Sequence, residues 1–87
     1  MNLKSQVTWT SKAARQLRKL PHEFQLRIFE AAGTLEHMSN CPQVLALKNH
    51  AYGYRLRVGN FRILFDWSAV IKIVEIQEVK IRDEGTY

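Results

Sequence analysis

Between Tyr54 and Phe65 the chain alternates about a single Gly59-Asn60 pair, and no other stretch constrains the fold as tightly. Tyr54, Leu56 and Val58 alternate with Arg55 and Arg57; Phe61, Ile63 and Phe65 alternate with Arg62, Leu64 and Asp66. Glycine in the first position of a two-residue loop suits a type II′ hairpin turn. Such a loop fixes the register: Val58 faces Phe61, Arg57 faces Arg62, Leu56 faces Ile63 and Arg55 faces Leu64. Strand side chains alternate, so Leu56, Val58, Phe61 and Ile63 share one face while Arg55, Arg57 and Arg62 share the other. Two arginines then stand directly opposite, their Cβ atoms about 4.5–5.5 Å apart, a placement that destabilises a sheet. Three readings account for it. Glu75, Glu78 or Asp66 relieves the pair in a salt-bridge network, or the pair recognises a carboxylate-rich protein segment, or it recognises phosphate, whose geometry the guanidinium fork matches.

The remaining pattern places two helices before this hairpin. Val7 and Trp9 flank Thr8 as a short strand. Thr10 or Ser11 is an N-cap for a helix carrying Ala13 or Ala14, Leu17 and Leu20 on one stripe. Pro21 ends that helix and suits the first turn of the next. The second helix is expected from about His22 to about Met38, because Phe24, Ile28, Ala31, Leu35 and Met38 step by helical intervals, with Phe29 and Ala32 widening the stripe. Residues 39–53 read as loop, punctuated by Asn40, Pro42, Asn49 and Gly53. After a turn at Ser68-Ala69, a last strand is expected over 70–81. It is apolar on both faces at Ile73, Val74 and Ile76, the mark of a strand inside its sheet. The predicted architecture is α+β, in the order β-α-α-β-β-β: a two-helix hairpin on one face of a mostly antiparallel sheet.

A length of 87 residues suits a single domain over 1–87. The longest apolar run, Val44 to Leu47, is far too short to span a bilayer, and Met1 to Ser5 lacks the apolar core of a secretory signal. The lone Cys41 makes no internal disulfide and fits a reducing cytoplasm. One cysteine and scattered histidines do not make a zinc site, no acidic cluster suits magnesium, and no glycine-rich loop precedes a helix to cradle a nucleotide. Neither metal nor cofactor is expected. Thirteen basic and eight acidic residues give a net charge of +5. From His37 to Asp66 the only acidic residue is Asp66 itself, whereas Lys48, Arg55, Arg57 and Arg62 all lie inside that stretch. A solvated surface mixes its signs, so the segregation points to an anionic partner.

Leu47-Lys48, followed by Tyr54-Arg55-Leu56-Arg57-Val58-Gly59-Asn60-Phe61-Arg62-Ile63, resembles the signature of the RelE/ParE superfamily, the toxins of type II toxin–antitoxin modules. There a leucine-lysine pair precedes a strand reading roughly Tyr-Arg-x-Arg-x-Gly-x-Tyr-Arg. The C-terminal Lys80-Ile81-Arg82-Asp83-Glu84-Gly85-Thr86-Tyr87 resembles the family's basic strand end and terminal tyrosine. Its arginine-to-tyrosine spacing is one residue shorter than in RelE-type members, which puts Ile81 at the family's arginine position unless a deletion intervenes. The resemblance implies the microbial-RNase-like fold and one of two activities. RelE-like members cut messenger RNA in the ribosomal A site; ParE-like members poison DNA gyrase and are not nucleases. It also implies a cognate antitoxin that wraps and silences the toxin, with operator DNA bound only through that antitoxin, and no membrane.

RNA cleavage by attack of the 2′-hydroxyl on the adjacent phosphate needs a base, an acid and cations. The resemblance assigns such roles to a basic cluster with a tyrosine. The catalytic candidates are therefore Lys48, Arg57, Arg62, Arg82 and Tyr87, with Arg55, Lys80, His50 and Tyr52 as RNA-binding residues. Arginine is a poor base, its pKa exceeding about 12. The base is then Tyr87, a lysine or His50. Tyr52 and Tyr54 could stack on bases, although Tyr54 shares the face of Leu56 and suits the core. Lys80, Arg82 and Glu78 share a face of the last strand, where Glu78 can tie the cations into a structural network instead. The dense basic centre favours a ribosome-dependent endoribonuclease. A gyrase inhibitor and a non-enzymatic binding or co-repressor module are the alternatives.

Overall fold

The computed structural model describes residues 4–81. It puts Gly59 at φ +56°, with Asn60 outside the left-handed region, as a type II′ turn requires. A side chain at Gly59 would also meet Arg27 Nη2, 3.1 Å from an added Cβ. The register is the one expected, with Arg57 opposite Arg62 and Leu56 opposite Ile63. Leu56 and Ile63 are buried and Arg57 is exposed, so the two faces separate as the alternation demands.

Around this hairpin the chain runs β1 (Gln6–Trp9), α1 (Ser11–Arg18), α2 (His22–Gly33), a 3-10 segment (Thr34–Asn40), β2 (Val44–Ala46), β3 (Tyr54–Val58), β4 (Phe61–Ser68) and β5 (Ile73–Ile81). The strands form one sheet in the order β1-β5-β4-β3-β2. β1 is parallel to β5 and the other neighbours are antiparallel. β5 is an interior strand, as its two apolar faces imply. The α+β class is the expected one, and both helices feed a single core. Ala13 of α1 and Ile28 and Ala32 of α2 join Leu35, Leu56, Ile63, Phe65, Val74, Ile76 and Val79, with Phe24 and Ala31 packed against them. Thr10 caps α1, its Oγ1 accepting from Ala13 N at 3.1 Å.

Four expectations change. The order β-α-α-β-β-β gains a strand, because β2 forms within the stretch read as loop. At three residues with Leu45 and Ala46 exposed, β2 carries no alternation to betray it. α2 stops at Gly33, not Met38. Thr34 turns its hydroxyl back onto Ala31 O at 2.6 Å, and the chain tightens into 3-10 geometry. Leu35 and Met38 still face the core because a three-residue step suits a 3-10 turn as well as an α-helix. Phe29 lies outside the buried stripe, 60% exposed, with its ring stacked on Trp9 at 6.2 Å. The last strand begins at Ile73, because Lys72 takes φ +56° and Val70, 91% exposed, belongs to the turn.

Phe65 is the largest fully buried side chain, and its ring stacks on Tyr54 at 5.5 Å. Phe65→Ala should cost about 3–5 kcal/mol, a large share of the roughly 4–13 kcal/mol available to a chain of this size. Leu45→Ala, on the exposed edge, should cost less than about 0.5 kcal/mol. Urea midpoints of the two variants check the contrast.

Candidate functional site

The outer face of the sheet, away from the helices, gathers the basic residues. Arg57 on β3 pairs with Arg62 on β4, and Arg62 pairs in turn with Lys80 on β5. Three cations thus stand in one row across three adjacent strands, spaced about 4.8 Å apart by the sheet itself. Lys80 joins the row through a bulge. Phe65 faces Ile76 but Leu64 faces Glu78, leaving Gln77 as an extra residue in β5. Strict alternation from Val74 and Ile76 would send Glu78 and Lys80 into the core. The extra residue reverses the parity, so Val79 is buried and Lys80 emerges beside Arg62.

The next row on this face is different in kind. It runs Leu45, Arg55, Leu64 and Glu78 across β2 to β5. Leu64 is only 4% exposed and Glu78 8%. The loop at 47–53 accounts for the cover. Leu47 N donates to Gly53 O at 2.8 Å, closing the loop, and Gly53 N donates to Asp66 Oδ1 at 2.8 Å. Tyr52 Oη reaches β5 and donates to Glu78 Oε2 at 2.8 Å. Arg55 is half-buried beneath, and its Nε has no hydrogen-bond partner among the described residues.

Glu78 is a hub. Besides Tyr52, it accepts from Gln16 Nε2 at a long 3.4 Å and lies 3.5 Å from Lys12 Nζ and 4.0 Å from Lys80 Nζ. Burial pushes its carboxyl up, but the hydrogen bonds from Tyr52 and Gln16 and the charges of Lys80 and Lys12 outweigh this and hold it below the usual carboxylate value. The bond to Glu78 raises the Tyr52 phenol above its ordinary value, helped by the negative charges of Glu78 and Asp66. Tyr52 is therefore a committed donor and a poor source of phenolate.

The other sequence candidates distribute as follows. His50 is exposed in the loop, where its Nδ1 accepts from Tyr52 N at 3.1 Å, which requires that nitrogen to be unprotonated. Lys48 is exposed in the same loop. Tyr54 turns inward against Phe65 and Trp67. Arg82 and Tyr87 lie outside the described residues. Asp66 accepts from Gly53 N and Gln77 Nε2, and Glu75 accepts from Gln77 Nε2 at 2.8 Å. The tie from Glu78 to Lys80 is the one the strand face offered in the sequence; its partners Tyr52, Gln16 and Lys12 went unread there. The three-residue step from Ile76 to Val79 within a strand was the available sign of the bulge. Among the described residues no cluster of three or more His, Cys, Asp or Glu side chains is placed to hold a metal, and no helix is long and apolar enough to cross a membrane.

Beside the row, a cleft of about 1050 Å³ opens between the end of α2, the 3-10 segment and β3, with Glu30, Thr34, His37, Leu56 and Arg57 among its lining. Arg57 borders both the cleft and the cation row.

No family model and no curated protein sequence matches the chain. Solved structures do. The RelBE2 toxin–antitoxin complex of Mycobacterium tuberculosis contains a chain that superposes with a TM-score of 0.80 at 27% identity, covering 91% of this chain and 99% of that one. The chain is RelE-like in fold. The archaeal RelE–RelB complex of Pyrococcus horikoshii gives a TM-score of 0.77 at 23% identity, covering 93% and 98%. The RelB–RelE complex of Methanococcus jannaschii gives 0.68 at 19%, covering 86% and 89%. These neighbours are toxin–antitoxin complexes, and the RelE-like architecture matches this chain through both helices and the sheet that carries the cation row.

The lowered Glu78 carboxyl makes a prediction about acid stability. Its contribution is complete above its unfolded value of 4.5 and is lost as the pH falls through the lower folded value. Melting temperatures followed from about pH 7 to about pH 3 should fall for the wild type, and less steeply for Glu78→Gln.

Proposed function

We propose that this chain is the toxin of a type II toxin–antitoxin module, a ribosome-dependent endoribonuclease acting on messenger RNA in the cytoplasm. The row Arg57–Arg62–Lys80 carries the reading, because three fixed cations across one face fit a reacting phosphate. In the reaction a base takes the proton of the 2′-hydroxyl, and that oxygen attacks the adjacent phosphorus. The 5′-oxygen leaves with a proton, and a cyclic phosphate remains. No metal is required by these steps, since Arg57, Arg62 and Lys80 would supply the positive charge as negative charge builds on the phosphate. Arg55 in the adjoining row, and Tyr52 and His50 in the 47–53 loop, would contact RNA.

Lys48, Lys80, His50 and Tyr87 are the candidates for the base, with Arg82 as a further cation. Tyr87 is separable by substitution. If it transfers the proton, Tyr87→Phe lowers the single-turnover rate by about 10²–10⁴. If it stacks on a base, Tyr87→Phe cuts almost normally and Tyr87→Ala fails.

An antitoxin partner is supported by the neighbours, which are toxin–antitoxin complexes. An acidic or amphipathic antitoxin segment would meet the +5 chain at its basic face and in the cleft that shares Arg57, and would carry it to operator DNA. Growth arrest on expression, relieved by co-expression of the neighbouring small gene, is the expected phenotype.

Arg57→Ala and Arg62→Ala should each abolish most cleavage on programmed ribosomes. Arg57→Ala should leave the melting temperature unchanged or slightly raised, because it removes one of two opposed like charges. Cleavage retained together with a clear loss of melting temperature would make the pair structural. Translation in vitro, run beside a gyrase supercoiling assay, separates the nuclease from a gyrase inhibitor.

A further inference from the structure

Glu78 occupies the row next to Arg62 and Lys80 on the same face, and it is 8% exposed. A carboxylate that far from water needs partners. Here they converge from three parts of the chain: Lys12 and Gln16 from α1, Tyr52 from the 47–53 loop, and Lys80 from β5 itself. The bulge at Gln77 delivers Glu78 and Lys80 to this face together. Gln16 fastens the arrangement from the other side, since its Oε1 accepts from Val79 N at 2.7 Å while its Nε2 donates to Glu78. To the backbone ties at Gly53, Tyr52 adds a side-chain tie between the loop and β5.

We propose that Glu78 is a positioning residue. It clamps the 47–53 loop to the sheet through the Tyr52 hydroxyl and holds Lys80 beside Arg62, so that the cation row and the loop form one preorganised surface for phosphate. The effect on cleavage rests on the nuclease reading above; the effect on the loop rests on the geometry alone.

Glu78→Gln and Tyr52→Phe in the full chain test it. Amide exchange over residues 47–53 should quicken by roughly 10–100-fold in both variants. Single-turnover cleavage of a labelled messenger RNA on ribosomes should slow by about tenfold through misplacement of the row. The toxin concentration that half-saturates ribosomes should stay the same or fall for Glu78→Gln, because a negative charge leaves a basic face. Binding and rate moving in opposite senses is what a loss of fold cannot produce. In loop exchange the double variant should be little worse than Tyr52→Phe alone, since Glu78→Gln weakens and Tyr52→Phe removes the same contact. Unchanged loop exchange, or binding lost in parallel with melting temperature, overturns the proposal. If the wild-type chain leaves ribosomal messenger RNA uncut, the nuclease reading fails, and Glu78 as the loop clamp stands or falls on the exchange result.

Discussion

The two-residue turn at Gly59-Asn60 leaves the β3–β4 hairpin no freedom of register, and the rest of the molecule is arranged around that constraint. The parity that sends Leu56, Ile63 and Phe65 inward also sets Arg57 against Arg62. A slip of one residue would relieve the arginines only by exchanging the faces. The magnitudes decide the outcome. Each buried apolar side chain contributes roughly 1.5–3 kcal/mol, whereas a cross-strand pair is worth only about 0.2–1 kcal/mol in either sense. The core therefore enforces the clustering of cations, which can persist without a stabilising term of its own.

β5 meets a second demand, because it must complete both the core and the row. Its first half packs Val74 and Ile76 inward, and its second half must do the same with Val79 while presenting Lys80. A regular strand cannot satisfy both. Gln77 resolves the conflict as the extra residue, and its amide is held by Asp66 and Glu75. Asp66 also takes Gly53 N, so the irregular point of β5 and the end of the 47–53 loop share one acceptor.

Much of this was legible in the sequence because it is periodic. Alternation about one turn specified the hairpin, its register and the basic face; helical spacing specified α1 and most of α2. What escaped notice is aperiodic or assembled from distant parts. β2 is too short and too exposed to alternate. The end of α2 was hidden because Leu35 and Met38 keep the same spacing through a 3-10 turn. Glu78 was read as one member of a charged strand face, since its burial depends on a loop and a helix meeting over it. The resemblance in residues 47–63 identified the RelE-like architecture before any contact was known, but it said nothing of Tyr52 or Gln16 as parts of the same network.

Gln16 has a further consequence for the behaviour of the chain in a crowded solution. β1 pairs with the outer edge of β5 only as far as Ile76, and Thr10 Oγ1 donates to Gln77 O at 3.3 Å; beyond that point the Val79 N–H would lack a neighbouring strand. Open edges of this kind recruit strands from other molecules. Here a side-chain amide takes the place of the missing neighbour: Gln16 accepts the Val79 N–H, and Lys12 stands close by on the same helix. One glutamine and one charge thus cover this stretch of β5, sparing it an added strand that would crowd the surface on which Lys80 is displayed.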